Sequence, residues 1–525
     1  MEPLKSLMEL MLKENYTDSL VKLYPELIAD INNRCCDLVC RDYEIQTFEN
    51  EDGCLCSHYP PSLFIPSLKS DSVGELFSLI SQAKFARGRT RFVVPAFCFQ
   101  GKNVCRSSTL SGSLELYGRQ VANIAGFSFD TSSGLASGAE AHVQAGDDRS
   151  MMHRVRDVDC ELMKRFRIQY ICDFMLEYRK VKYWLPVTSS EKDDNHDRYD
   201  DFVILPLPYP GSEFFRVWRD SGYVMTNLTF NWDQPTIDVT LRENCIPKTL
   251  LSSSVDWKNY KSWDVTTLTK NYLKLLLGQL FEGAGGMLLH CVSGWDRTPL
   301  FISLMRCLLW ADDLAHPSLE PAEMLYYTLA YDWFLFGHKL HTRLESGEEI
   351  LRFAFCFLST VAADSDLSIR AVYDMVLPPE DFTPDTHSKS HEFVEIKWSP
   401  GLLRARQERL QQLAEIFFSI WDLTLNLVNE ASPAYNPIPC ESDRQTRESA
   451  NNPIYGYATE NNKSTSDSLR PMKASIVSQI SNAVSSAAVA VTFGLSKPFL
   501  VNQTSSVPSS NEADSTLTIS QHSAS

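Results

Sequence analysis

One short stretch constrains what this chain can fold around: His290-Cys291-Val292-Ser293-Gly294-Trp295-Asp296-Arg297-Thr298. The apolar run Met287-Leu288-Leu289 in front of it suits a central strand. Behind it, Thr298-Pro299 opens an apolar series through Phe301, Leu304, Leu308 and Leu309, a helix with proline near its start. Upstream, Tyr272 to Phe281 reads as a mostly buried helix stopped by Gly283, Gly285 and Gly286. Helix, strand, tight loop and helix N-terminus in that order make an α/β unit. Its loop N–H groups and the positive end of the second helix form an anion site.

A cysteine six residues before an arginine is weak evidence alone. With 14 cysteines and 49 Lys+Arg in 525 residues, about one Cys-x5-Lys/Arg match arises by chance. The chain holds such a match in Cys35 and Arg41, where no glycine and no strand-to-helix turn surround the pair. Context makes Cys291 different. A helix N-terminus and a neighbouring cation lower a thiol pKa from about 8.5 by several units. Cys291 is then a thiolate nucleophile toward phosphorus, giving a phosphocysteine. Arg297 has the planar fork that binds two phosphate oxygens. Gly294 lets the backbone approach the anion. Asp296 is the candidate for protonating the leaving oxygen or positioning the hydrolytic water. Thr298 is placed to hydrogen-bond the sulfur. The plain alternative is an inert buried thiol.

A second block, Asp332-Trp333-Phe334-Leu335-Phe336-Gly337-His338-Lys339-Leu340 followed by Arg343, stands tens of residues downstream. Together the two blocks resemble the myotubularin phosphoinositide 3-phosphatases. Their loop reads Cys-Ser-Asp-Gly-Trp-Asp-Arg-Thr, and a Glu-Trp-Leu-Ser-Phe-Gly-His-Lys/Arg-Phe segment follows it. Trp295 beside Asp296 separates the loop from those of ordinary tyrosine phosphatases. The similarity is greatest to a divergent branch of the family. It runs from about Tyr170-Ile171-Cys172-Asp173 through Pro208-Tyr209-Pro210-Gly211 to Glu348-Glu349-Ile350, and more weakly over Lys102 to Arg119. The resemblance implies a cysteine-phosphatase core, a central sheet flanked by helices, acting on phosphatidylinositol 3-phosphate and/or the 3,5-bisphosphate. Catalysis falls to Cys291, Asp296 and Arg297. Substrate binding falls to Val292, Ser293, Gly294, Trp295, Thr298, Lys339 and Arg343. The chain departs from the family at Val292-Ser293: Ser293 removes a loop carboxylate, which leaves proton transfer to Asp296 and alters how a second ring phosphate is read. The family's usual lipid-binding N-terminal domain is not recognised, nor is its Ser-Pro stretch after the second block.

Charge narrows the partners. With 49 Lys+Arg against 66 Asp+Glu the net charge is −17, which opposes nonspecific binding to nucleic acid or anionic membranes. A lipid headgroup must therefore be drawn in by local positive charge. Lys339 and Arg343, four apart, share a face if helical. The resemblance puts them near the inositol phosphates, while Glu345, Glu348 and Glu349 offer the plainer reading of a solvated, ion-paired face. His338 reads as a packed histidine. Arg87-Gly88-Arg89-Thr90-Arg91 precedes the apolar run Phe92-Val93-Val94 and reads as a solvated approach to a strand, with a lipid-facing rim as the alternative. Arg154 to Arg167, interleaved with Asp157, Asp159 and Glu161, reads as a charged helix surface. No metal is expected: the cysteines from Cys35 to Cys56, with His58, fit no common zinc spacing. No cofactor is implied either.

The N-terminal Met1-Glu2-Pro3-Leu4-Lys5 leads into an amphipathic pattern, not a signal peptide. Fourteen cysteines without a disulfide framework suit a reducing compartment. With no run near the ~20 apolar residues a spanning helix needs, the expectation is a cytoplasmic protein associating peripherally and transiently with membranes. Length and composition divide the chain into a smaller N-terminal α+β module (1–127), a Gly/Ser/Ala-rich linker (128–150), the α/β phosphatase domain (151–430) and a mostly disordered tail (431–525). The tail contains a possible amphipathic helix at 475–495 for docking on a membrane or protein. Two other functions fit the same residues: a dual-specificity protein phosphatase, and an inactive phosphoinositide-binding adaptor.

Overall fold

The computed structural model describes residues 1–66, 73–112, 148–182, 185–193, 197–242, 246, 255–368 and 400–431. Nearly all of the 128–150 linker lies outside them, as do Tyr183-Trp184, the tail beyond residue 431 and the segment at 475–495.

The strands are β1 (Ile45–Glu49), β2 (Ser62–Pro66), β3 (Val94–Phe99), β4 (Lys102–Ser108), β5 (Leu110–Ser111), β6 (Ile168–Asp173), β7 (Arg179–Lys182), β8 (Leu185–Ser189), β9 (Val203–Pro206) and β10 (Gly286–Cys291). The helices are α1 (Glu2–Lys13), α2 (Asp18–Leu23), α3 (Pro25–Val39), α4 (Val73–Ala83), α5 (Asp148–Arg165), α6 (Phe214–Asp220), α7 (Val265–Glu282), α8 (Arg297–Ala311), α9 (Pro321–Tyr327), α10 (Leu340–Glu345), α11 (Ile350–Val361) and α12 (Pro400–Ala431). A mixed sheet in the order β3-β4-β10-β6-β9 forms the centre, flanked by helices. β4, β10, β6 and β9 run parallel, and β3 closes one edge antiparallel to β4. The architecture is the α/β class expected from the sequence.

β10 occupies the middle because every residue in it is buried, as a strand covered on both faces requires. Gly286 starts it where no side chain fits: a Cβ there would lie 2.1 Å from the Asn103 carbonyl oxygen. The Asp264 side chain accepts the Thr267 N–H at 2.8 Å to start α7. Gly283 ends α7, as its sequence position indicates. Lys102 from β4 donates to the freed Leu280 and Phe281 carbonyls at 2.8 and 3.0 Å.

β3 and β4 come from the segment read as an N-terminal module, so the five-stranded sheet draws on both sides of residue 127. β1 and β2 form a separate antiparallel pair, and β5, β8 and β7 a small antiparallel sheet. All fifteen residues of α8 are buried. This is possible because its two arginines are both matched: Arg297 by backbone carbonyls, and Arg306 by Asp332, where Nε and Nη2 donate to the two carboxylate oxygens at 2.8 Å each. That pair ties the helix after the loop to the second sequence block. The block itself is a π-helical segment, Thr328–Phe334, followed by a turn at Gly337 (φ 83°) and then α10. α12 covers α11 with its apolar face, and Phe417 stacks on Phe355 with centroids 3.9 Å apart.

Candidate active site

The parallel strands deliver their C-terminal ends to one edge of the sheet, where ligands of α/β folds bind. Cys291 is the last residue of β10, and its carbonyl accepts the Thr109 N–H at 3.0 Å. The chain then turns through Val292 to Asp296 and enters α8 at Arg297. Gly294 takes φ 70°, and a Cβ there would lie 2.6 Å from the Ser107 carbonyl oxygen, so the turn needs glycine.

The loop folds around the sulfur. The Gly294 N–H and the Thr298 hydroxyl each donate to Cys291 Sγ at 3.3 Å. Burial pushes the thiol pKa up, with Asp296 adding to it, but Arg297 and the Thr298 hydrogen bonds overcome both, and the pKa lies below the ordinary thiol value. Arg297 is anchored from behind: its Nη1 donates to the Phe174 carbonyl at 2.6 Å and the Tyr209 carbonyl at 3.1 Å. These carbonyls follow β6 and β9, which fixes the guanidinium relative to the sulfur. A positioned thiol, inward N–H groups, a fixed arginine and a helix N-terminus can hold a tetrahedral oxyanion and attack its central atom.

Asp296 is held on two sides. Arg343 forks onto it, Nε to Oδ1 at 3.1 Å and Nη2 to Oδ2 at 2.6 Å, while Nη1 donates to Glu348 at 2.7 Å. Buried His338 places Nδ1 3.1 Å from Asp296 Oδ1 and 3.0 Å from the Trp295 carbonyl. Both neighbours are acceptors, so Nδ1 carries the proton. Burial alone would raise the Asp296 pKa; His338 and Arg343 outweigh it and hold the carboxyl well below the usual range. Arg343, expected among the substrate ligands, here binds Asp296 and Glu348. His338, read as a packed histidine, is packed against Trp333 and orients the same carboxylate.

Val292, Ser293 and Trp295 are half-buried at the mouth of the loop. Lys339 reaches over the Trp295 ring, its ammonium 5.1 Å from the centroid. Arg89 lies 4.8 Å from the same centroid and donates to Ser293 Oγ at 3.0 Å. The run Arg87 to Arg91 is thus no solvated approach to a strand. Arg91 is fully buried, donating to the His58, Gly294 and Phe336 carbonyls at 2.9, 3.1 and 2.8 Å. Arg106 of β4 adds bonds to the Asp332 and Gly294 carbonyls at 2.7 and 3.3 Å. These arginines brace the loop from beneath. The one sequence signal that could have found Arg87 and Arg91 is the alternation of Arg87, Arg89 and Arg91 ahead of a buried strand; nothing in the sequence marks Arg106.

Behind the cysteine lies a buried charge network. His290 Nε2 is 3.0 Å from Glu191, and Lys192 is 2.8 Å from Asp173. Arg87 contacts Glu191 and grips Asp159 at 2.7 Å. Burial opposes charge on His290, yet Glu191 and Asp173 raise its pKa above the ordinary histidine value. Three carboxylates therefore face Arg87, Lys192 and His290. Although Asp173, Glu191 and His290 are close enough to share a metal ion, these cations already balance the two acids. Asp159 departs from expectation: it faces inward from α5 rather than lying on a charged surface. The other Cys-x5-Arg match lies away from any such loop, with Cys35 buried in α3 and Arg41 pairing with Glu323 at 2.9 Å.

No protein-family model matches the chain. It is 43% identical over 376 residues to phosphatidylinositol-3,5-bisphosphate 3-phosphatase MTMR14 of Homo sapiens, an alignment covering 67% of this chain and 56% of that protein. It is 45% identical over 353 residues to the Mus musculus protein of the same name, covering 64% and 54% respectively. The chain thus spans a little over half the length of these curated relatives. Identity at this level establishes homology, and the resemblance to the myotubularin-related phosphoinositide 3-phosphatases read from the two sequence blocks is borne out by these relatives.

Proposed function

We propose that the chain is a phosphoinositide phosphatase that removes the 3-phosphate from phosphatidylinositol 3-phosphate and/or phosphatidylinositol 3,5-bisphosphate. The observation that carries this is the Cys291 sulfur held by Gly294 and Thr298 at the N-terminus of α8, beside an arginine fixed by two carbonyls. The relatives' name supplies the substrate class.

In this reading the Cys291 thiolate attacks phosphorus, the bond to the ring oxygen breaks, and that oxygen takes a proton. Water then attacks the phosphocysteine, loses its proton to a base, and releases phosphate with the thiolate restored. Arg297, the loop N–H groups and the helix dipole hold the equatorial oxygens as charge develops. Asp296, in the ionised form that Arg343 and His338 favour, is set to take the water's proton in the second step. Donating to the leaving oxygen in the first step requires its protonated form, so that step gains as pH falls. Val292, Ser293, Trp295 and Lys339 line the mouth through which the headgroup enters. Among the described residues no helix is long and apolar enough to cross a membrane, which suits an enzyme meeting its lipid peripherally at a surface. In the same reading 1–127 is an N-terminal module, 128–150 a linker, 151–430 the phosphatase domain and 431–525 a tail whose 475–495 segment docks on a membrane or protein.

The test is phosphate release from a panel of short-chain phosphoinositides by wild type and Cys291→Ser. Release confined to lipids phosphorylated at the 3-position, abolished in the variant while lipid binding persists, is the expected result. Normal turnover by Cys291→Ser would refute the mechanism. Activity on phosphopeptides alone would replace the lipid substrate with a protein one, and binding without turnover in wild type would make the chain an adaptor.

A further inference from the structure

Away from the catalytic loop, α1 and α3 both pack on α9 and leave between them an open groove of about 440 Å³. Each helix lines it with one stripe at helical spacing. Pro3, Leu7 and Leu10 come from α1, and Leu27, Asp30 and Ile31 from α3. Leu7, Ile31 and, from α9, Tyr326 are buried and form the floor. Leu27 is 41% exposed on the rim, and Leu23 and Tyr24 make it one of three large exposed apolar side chains within five residues. Single exposed apolar residues are ordinary, whereas a cluster beside an apolar groove marks an interaction surface.

The charges along this groove are not balanced. Arg34 lies over the Tyr326 ring, 4.7 Å from its centroid, and pairs with neither neighbouring acid. On α1, Lys5 and Lys13 are each 3.8 Å from Glu9. Asp30 and Asp37, exposed on the α3 side, form no ion pair among the described residues. From Leu27 to Asp37 that side runs about 15 Å, room for ten residues of a bound helix.

We propose that the groove between α1 and α3 docks an amphipathic helix of a partner protein, apolar at i, i+3, i+4 and i+7 and flanked by lysine or arginine. Its apolar anchors lie between the two stripes, and its basic flanks meet Asp30 and Asp37, which sets orientation and speeds encounter. The other occupants match the charge less well. The exposed acids and the net charge of −17 oppose an anionic membrane. A second copy docked face to face brings its own Asp30 and Asp37 against these.

The experiment titrates the full chain into fluorescein-labelled peptides and follows anisotropy. One peptide has leucine at the i, i+3, i+4, i+7 positions and lysine elsewhere; the other replaces every lysine by glutamate. The proteins are wild type, Leu27→Asp and the double variant Asp30→Asn with Asp37→Asn. All three substituted side chains are exposed, so native near-ultraviolet circular dichroism is expected throughout. The expected result is binding of the Leu/Lys peptide by wild type, with Kd raised about tenfold or more in both variants and for the Leu/Glu peptide. Leu27→Asp adds a negative charge, so equal or tighter binding by it would show mere attraction to an acidic protein and overturn the assignment. Equal affinity for the two peptides would also overturn it. A wild-type dimer in sedimentation equilibrium that Leu27→Asp abolishes would replace the partner with a second copy. Cosedimentation with phosphatidylserine vesicles that Leu27→Asp abolishes would replace it with a lipid surface.

Discussion

The residue whose behaviour is most altered by its neighbours is Asp296. Its sequence position beside Arg297 marks it as the proton-transfer group, yet Arg343 and His338 hold it ionised. A carboxyl whose pKa is depressed in the folded state contributes stability above its unfolded value near ~4, and loses it as pH falls through the lowered value. Catalysis runs the other way: a group needed as an acid is scarcer the lower its pKa. Arg343→Gln therefore raises the Asp296 pKa, and the limb of kcat/KM against pH set by the protonated carboxyl moves to higher pH. Overlapping profiles for wild type and variant would show that Asp296 is not the acid. At this scale the sequence singled out Asp296, His338 and Arg343, which the structure brings together. The resemblance put Arg343 near the ligand, and spacing reveals a shared face but not that this face meets Asp296 and Glu348.

At the scale of elements, the strand–loop–helix unit is determined almost completely by local chemistry. Buried apolar β10, the glycines before it, Gly294 at φ 70° and the apolar helix α8 each follow from residue type and order. Gly294→Ala tests how tightly the cradle is drawn. Its Cβ would sit 2.6 Å from the Ser107 carbonyl oxygen, so the loop must shift by a sizeable fraction of an ångström. Turnover is expected to fall about a hundredfold, the scale of loss for a misplacement near 1 Å, while the near-ultraviolet circular dichroism stays native. Turnover within twofold of wild type would mean the loop tolerates another path. The second block behaves differently. A helical face through Lys339 and Arg343 was expected, and Lys339 caps α10 with its carbonyl accepting the Arg343 N–H at 2.9 Å; what spacing did not give is the π-helical stretch and the Gly337 turn that separate Trp333 from α10. Inserting one residue per turn rotates a helix face, which spacing arithmetic does not reveal.

Across the whole molecule, the catalytic strand is stabilised from behind by charges distant in sequence. Arg87 spans Asp159 and Glu191, and Glu191 meets His290, next to Cys291. Arg87→Met keeps the bulk but leaves two carboxylates buried without their main cation. It is expected to cost about 3–5 kcal/mol in denaturant unfolding, where a loss below about 1 kcal/mol would show the network to be dispensable. The sequence by itself determined the α/β class, the strand–loop–helix unit that carries Cys291 and Arg297, and the long amphipathic helix α12. Each of these rests on hydrophobic periodicity or on a loop whose partners lie within ten residues, and such patterns are set by local chemistry. Only the tertiary structure decided that β3 and β4 join the catalytic sheet, that the Arg87 to Arg91 run braces the loop instead of meeting solvent, that Asp159 turns inward, and that Arg343 holds Asp296. In these cases the partner lies 47 to more than 200 residues away, as with Arg343 and Asp296 or Arg89 and Ser293. A charged side chain reads the same in sequence whether it faces water or a buried counter-charge; packing alone chooses between them.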